Sequence, residues 1–128
     1  ASSPDLQKAF QHHLEQTKQH VKRLQKVFDD MGKQPHGETC EAMQGLIKEG
    51  EDIIKKDGAP DVKDAALIAA AQRVEHYEIA AYGTVCTYAE QLSHSDAHHI
   101  LSETLSEEKK TYDKLNTLAS AINPVAAS

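Results

Sequence analysis

The sequence predicts an all-α protein whose helices pack as an antiparallel bundle. Apolar residues recur at steps of three, four or seven along four stretches of the chain, which is the spacing of an amphipathic helix. No stretch alternates between apolar and polar residues as a half-buried strand does. Long helices with short connections favour antiparallel neighbours. Because 128 residues are enough for one domain and too few for two, we expect a single domain over residues 1–128.

Proline, glycine and capping residues mark the limits of the predicted helices. Ser3 before Pro4 begins the first helix, and Gly32 ends it. The pair Asn123-Pro124 ends the last helix. The four predicted helices cover residues about 3–31, 38–56, 61–93 and 95–122. The second helix is shorter than the others, so we expect three long helices and one short helix.

The composition excludes several classes of function. A formal charge of −6 and a pI near 5.7 disfavour a surface that binds nucleic-acid phosphates. No apolar run approaches the ~18–20 residues of a membrane span, and no signal-peptide apolar region is present at the N-terminus. Two cysteines are too few for a disulfide framework or a cysteine-type zinc site. We therefore expect a cytoplasmic protein that binds neither nucleic acid nor membrane.

Two glutamates interrupt the apolar face of the third predicted helix. Glu75 and Glu78 are three residues apart, and a helix that turns ~100° per residue places both within ~40° of the centre of that face. His76 and Tyr77, which lie between them, project away from it. The sequence therefore predicts a Glu-x-x-Glu pair that points into the bundle.

The neighbouring helices carry further polar residues on their apolar faces. Glu108 lies near the centre of the face of the fourth helix, and an antiparallel turn near residues 93–96 brings it level with Glu78. On the first helix, His13 and His20 are seven residues apart and lie along one edge of the apolar face. We predict that the three carboxylates share one layer of the bundle and that the two histidines lie on the face of the first helix.

A metal site explains this layer most simply. A lone buried carboxylate is costly, and no Lys or Arg occurs on the apolar faces of the three long helices to neutralise it. Carboxylate oxygens with imidazole nitrogens suit iron or manganese. The candidate ligands are Glu75, Glu78, Glu108, His13 and His20. The alternatives are glutamates that face water or the charges of a partner helix, and histidines that are hydrogen-bonded at the edge of the core.

Several stretches of the sequence form distinctive motifs, namely HLEQT at 13–17, MxxLI at 43–47, DAALIAAAQ at 64–72, VEHYEI at 74–79 with YGT at 82–84, and ETLxEEK at 103–109. These motifs resemble the YciF-like family of ferritin-like, rubrerythrin-like bacterial stress proteins. The resemblance extends over nearly the whole chain. It implies a ferritin-like bundle with a short helix in its long crossover, a homodimer, and a di-iron site.

The resemblance also implies two departures. Members of the family carry a long helix before the point at which this sequence begins, so the first bundle helix and one of its ligands are expected to be absent. The chain also lacks the Glu-x-x-His motif of such sites, because Glu15 precedes Lys18 and Glu108 precedes Thr111 by three residues. We expect two iron ions, with manganese or zinc as the other candidates, in a site that is partly or wholly empty in this chain.

Two hypotheses of function follow. The first is a stress-response protein with a carboxylate-rich di-metal site and oxidase-type or peroxidase-type iron chemistry, for which the sequence identifies no electron donor. The second is a non-catalytic, dimeric structural protein whose metal site is incomplete or vestigial. Whether the chain is an enzyme is left open between them.

Overall fold

The computed structural model describes all 128 residues and contains four α-helices. Helix α1 spans Pro4–Asp30, α2 spans Glu41–Lys55, α3 spans Pro60–Gln91 and α4 spans Ser95–Ala126. No strand is present, so the prediction of an all-α protein is confirmed. Three helices are long, and α2 is about half the length of α3 or α4.

The helix ends follow the local sequence in most places. Ser3 is the N-cap of α1, and its side chain accepts a hydrogen bond from the backbone N–H of Leu6. After α1 the chain turns through Gly32, whose φ of +64° is a left-handed conformation that glycine adopts without a steric penalty. The prediction for the last helix was wrong at its end, because α4 continues through Pro124. That proline lies in the last turn, where a missing N–H removes only one hydrogen bond.

The three long helices meet in two apolar clusters, one near each end of the bundle. The first cluster contains Leu6, Ile68, Leu115 and Leu118, and the second contains Val27, Cys86, Ala89 and Leu101. The first cluster joins the beginnings of α1 and α3 to the end of α4. The second cluster joins the ends of α1 and α3 to the beginning of α4. Helices α1 and α3 therefore run parallel, and α4 runs antiparallel to both.

Helix α4 lies beside both α1 and α3, whereas α2 packs on α3. A tight turn at Ser93, with φ of +59°, joins α3 to α4 and makes them antiparallel neighbours. The parallel α1 and α3 need a long connection, and this connection contains α2. The arrangement agrees with the expected helix bundle with a short crossover helix.

Two details differ from the apolar pattern of the sequence. Cys40 precedes α2 as its N-cap and is exposed, whereas Cys86 is buried in α3. Leu14 and Val21, seven residues apart on α1, are 51% and 63% exposed, so one edge of the apolar face of α1 has no neighbour.

None of the four helices has an apolar stretch long enough to cross a membrane.

Candidate metal centre

A polar layer separates the two apolar clusters of the bundle. Helix α1 contributes His13 to it, α3 contributes Glu75 and Glu78, and α4 contributes Glu108. One ligand atom from each of these four side chains lies within 4.8 Å of the others. We call these four residues the carboxylate cluster. The structure thus brings together four of the five residues that the sequence singled out.

His13 is held between α3 and α4. Its Nε2 lies 3.0 Å from Glu75 Oε1, and its Nδ1 lies 3.2 Å from the hydroxyl of Thr111. With Nε2–H donating to the carboxylate, Nδ1 accepts from the hydroxyl. Burial lowers the pKa of His13, but the hydrogen bond to Glu75 and the charges of Glu75 and Glu78 raise it overall.

The carboxylates of the cluster are crowded and incompletely hydrogen-bonded. Glu75 and Glu108 are 2% and 1% exposed, and one buried oxygen of each, Oε2, has no hydrogen-bond partner. Burial raises the pKa of Glu108 to about 9, assisted by the neighbouring carboxylates of Glu75 and Glu78. Burial and the charge of Glu75 also raise the pKa of Glu78. The cluster therefore holds protons that a cation would displace.

His20 lies next to this cluster but is not one of its four members. Its Nδ1 is 3.0 Å from Glu108 Oε1, and its Nε2 is 2.7 Å from Glu107 Oε2. Arg23 completes the chain of contacts through two hydrogen bonds to Glu107, of 2.6 and 3.0 Å. Hydrogen bonding to Arg23 lowers the pKa of Glu107 to about 2. His20 therefore connects a cluster carboxylate to a charged pair at the edge of the bundle.

Tyr82 borders the same layer. Its ring meets that of His20 edge-on, with 6.4 Å between the centroids. Burial raises the pKa of Tyr82 to about 12, and the charges of Glu78 and Glu108 add to this effect. The phenol therefore stays protonated at neutral pH.

The geometry fits a cation with hard ligands. No Lys or Arg side chain contacts the three glutamates of the cluster, so a negative charge can be neutralised there only by protons, His13 or His20. Three carboxylates and one imidazole are ligands that iron and manganese accept. Phe10 stands three positions before His13 and Thr111 three positions after Glu108, so the Glu-x-x-His motif of di-iron bundles is lacking.

The sequence interpretation missed two parts of the site. It gave no role to Glu107 and looked for Lys or Arg only on the apolar faces of the long helices, yet Arg23 binds Glu107 at the edge of the layer. The signal was present, since Arg23 follows His20 by three residues and lies on nearly the same side of α1. The interpretation also missed the contacts of His20, a predicted ligand, whose ring lies within hydrogen-bonding distance of both Glu107 and Glu108.

Comparison with known proteins gives the family of the chain. The family described as a domain of unknown function, DUF892, matches residues 1–127. The chain belongs to the DUF892 family. Protein YciF of Escherichia coli K12 is 47% identical to the chain over 119 residues, which are 92% of this chain and 72% of YciF.

Two solved structures have the same fold as this chain. The crystal structure of the E. coli stress protein YciF superimposes with a TM-score of 0.89 at 47% identity, covering 93% of this chain and 76% of YciF. YcfI of Rhodopseudomonas palustris, named as a candidate structural protein, gives a TM-score of 0.87 at 44% identity and covers 91% and 74%. The resemblance to the YciF-like family is therefore confirmed.

Proposed function

We propose that this protein is a ferritin-like metalloprotein whose carboxylate cluster binds iron between α1, α3 and α4. The observation that carries the proposal is the pair of unpartnered oxygens, Oε2 of Glu75 and Oε2 of Glu108, in side chains that are almost completely buried. A buried polar atom without a partner costs about 1–3 kcal/mol. A bound cation would remove this cost at both atoms.

The ligand set supports a centre of two ions with carboxylates as bridges. Glu75, Glu78, Glu108 and His13 would hold the metal, with water in the remaining positions. Four protein ligands are fewer than the four glutamates and two histidines of the usual di-iron bundle. Iron is the proposed metal, and manganese and zinc are competitors. Bound iron would supply one-electron oxidation and reduction, which is the basis of oxidase-type or peroxidase-type activity.

The surrounding residues would prepare the site for the metal. Thr111 orients the ring of His13, and His20 holds one oxygen of Glu108. Partners of this kind fix metal ligands in their binding geometry. Because the pKa of Glu108 is raised to about 9, metal binding at neutral pH would release its proton.

Ferrous loading of matched variants tests the proposal. The protein is loaded anaerobically with ferrous iron, passed over a desalting column and analysed for iron per chain. The native chain and Glu90→Gln, a change of an exposed glutamate on α3, should retain about the same iron. Glu75→Gln and Glu108→Gln should lose most of it. Equal iron content in all four proteins would refute the assignment of these ligands.

A second candidate function is a non-catalytic structural role. The small ligand set and the naming of YcfI as a candidate structural protein favour it. A ligand that binds only the folded state raises the unfolding midpoint by mass action. The structural role predicts that iron leaves the unfolding midpoint of the native chain unchanged, whereas the metalloprotein predicts a rise that Glu108→Gln abolishes.

We further propose that two copies of the chain associate in the cytoplasm of bacteria under stress. The exposed side chains of Leu14 and Val21 support self-association, because they extend the apolar face of α1 beyond its contacts. Sedimentation equilibrium of the native chain should give the mass of a dimer, and Leu14→Gln with Val21→Gln should give a monomer. A monomeric native chain would contradict this part of the proposal.

A further inference from the structure

A cavity of about 390 Å³ opens between α1 and α4 beside the carboxylate cluster. Its inner end contains the buried side chains of Leu115 and Glu75 together with His13. Phe10 and Ala71 form its apolar walls. The volume is near the lower end of the range of about 300–1,000 Å³ for small-molecule sites.

Three lysines lie at the mouth of this cavity. Lys8 belongs to α1, and Lys110 and Lys114 belong to α4. All three are exposed, and none forms an ion pair, in contrast to lysines such as Lys18 and Lys26. The chain carries a net charge of −6, so this cluster of positive charge is not a property of the general surface. A mouth with unpaired positive charges attracts anions.

We infer that the cavity binds a small amphiphile, a molecule with an anionic head group on an apolar body. The head group lies at the mouth among Lys8, Lys110 and Lys114, and the body lies against Phe10 and Leu115. The opposite orientation is excluded by charge, because the carboxylate of Glu75 at the inner end repels an anion. Binding at the mouth needs no metal.

The orientation determines what the ligand presents to the carboxylate cluster. His13 and Glu75 belong both to the cluster and to the inner end of the cavity. The apolar end of the bound molecule therefore lies next to the proposed metal centre. The bound molecule can be a substrate of the metal centre only if the proposed function is correct. Its binding to the cavity does not depend on the proposed function.

Calorimetric titration of the metal-free protein tests the binding, with octanoate as the probe. Octanoate should bind one molecule per chain, at least tenfold more tightly than 1-octanol, which lacks the charge, or acetate, which lacks the chain. No saturable binding of octanoate, or equal binding of 1-octanol, would overturn the inference. Iron content plays no part in this result, so it is independent of the test of the metal centre.

Charge variants locate the site. Lys110→Gln with Lys114→Gln should weaken octanoate binding at least fivefold. Lys22→Gln with Lys33→Gln makes the same change of net charge at exposed positions away from the cavity and should leave the affinity within twofold. An equal loss in both double variants would show a general charge effect and overturn the assignment.

Nuclear magnetic resonance distinguishes this cavity from the other apolar groove of the bundle, which lies between α2 and α3. Octanoate should shift the amide signals of His12 and Thr111, which line only this cavity, more than those of Ile47 and Ile54, which line only the groove. The reverse pattern would place the ligand in the α2–α3 groove and contradict the inference.

Discussion

His20 Nδ1 lies 3.0 Å from Glu108 Oε1, while Nε2 of the same ring lies 2.7 Å from Glu107 Oε2. One buried imidazole thus connects a carboxylate of the cluster with a carboxylate that Arg23 already binds. The two neighbouring glutamates of α4 consequently have different electrostatic environments. The pKa of Glu107 falls to about 2 and that of Glu108 rises to about 9. This difference is the basis of the first three predictions.

Replacement of His20 should weaken both the fold and the proposed metal site. His20→Ala leaves Glu108 Oε1 buried without its partner, which costs about 1–3 kcal/mol in the free energy of unfolding. Loss of such a supporting contact lowers metal affinity about 10–100-fold. Urea denaturation and iron titration measure the two effects. His36→Ala, a change of an exposed loop residue, serves as the control, and equal effects of the two changes would contradict the role given to His20.

Glu108 should make the metal-free protein less stable as the pH rises. Its pKa in the folded chain is about 9, above the ordinary value of 4.5, so the folded state binds more protons than the unfolded state between these values. Stability therefore falls as the pH rises through this window. Glu108→Gln keeps the shape of the protonated side chain and carries no titratable group.

Denaturation in the presence of chelator at about pH 5, 7 and 9 measures this effect. The free energy of unfolding of Glu108→Gln, relative to the native chain, should increase steadily from pH 5 to pH 9. Glu90→Gln, on the exposed side of α3, should show no such trend. A constant difference between Glu108→Gln and the native chain would refute the raised pKa.

Glu107 should have the opposite dependence on pH. Hydrogen bonding to Arg23 lowers its pKa to about 2, so its stabilisation is complete above the ordinary value of 4.5 and is lost as the pH falls towards 2. Arg23→Gln should therefore destabilise the protein at pH 7, by an amount that shrinks below about pH 4. Lys26→Gln, which breaks an exposed ion pair to Asp30, should have little effect. If Arg23→Gln destabilised the protein equally at pH 7 and below about pH 4, the pairing of Arg23 with Glu107 would be contradicted.

Asp64 should anchor the segment before α1. It is 1% exposed, and its carboxylate accepts hydrogen bonds from the backbone N–H groups of Ser2 and Ser3, at distances of 2.6 to 3.0 Å. Asp64→Asn replaces one acceptor oxygen by a donor and should cost about 1–3 kcal/mol. Thermal unfolding and hydrogen exchange at Ser3 measure the loss. Asp61→Asn, at an exposed position of α3, is the control, and a loss of equal size there would contradict the anchor.

The periodicity of the sequence predicted the helices and the layer of glutamates because both depend on local geometry. Glu75, Glu78 and Glu108 lie on apolar faces that must turn inward, whichever helices pack together. The antiparallel turn near Ser93 then fixed the level of Glu108 relative to the pair on α3. These steps needed only the helical repeat and one short connection.

The partners of the cluster could not be predicted in the same way. Arg23 lies at the edge of α1, where a long side chain can reach inward or into water, and its choice of Glu107 depends on how α1 packs against α4. The same packing decides that His20 contacts carboxylates of α4 while His13 contacts Glu75. The end of α4 was missed because the rule that proline ends a helix is weak in the last turn.

The most direct test of the metal centre is anomalous X-ray diffraction from crystals loaded anaerobically with ferrous iron and measured on both sides of the iron absorption edge. We predict one or two iron peaks enclosed by His13, Glu75, Glu78 and Glu108, with metal–ligand distances near 2.0–2.3 Å, which is about the range of other oxygen and nitrogen ligands of divalent metals. An empty cluster in crystals that hold iron at surface histidines such as His98 and His99 would contradict the proposed function.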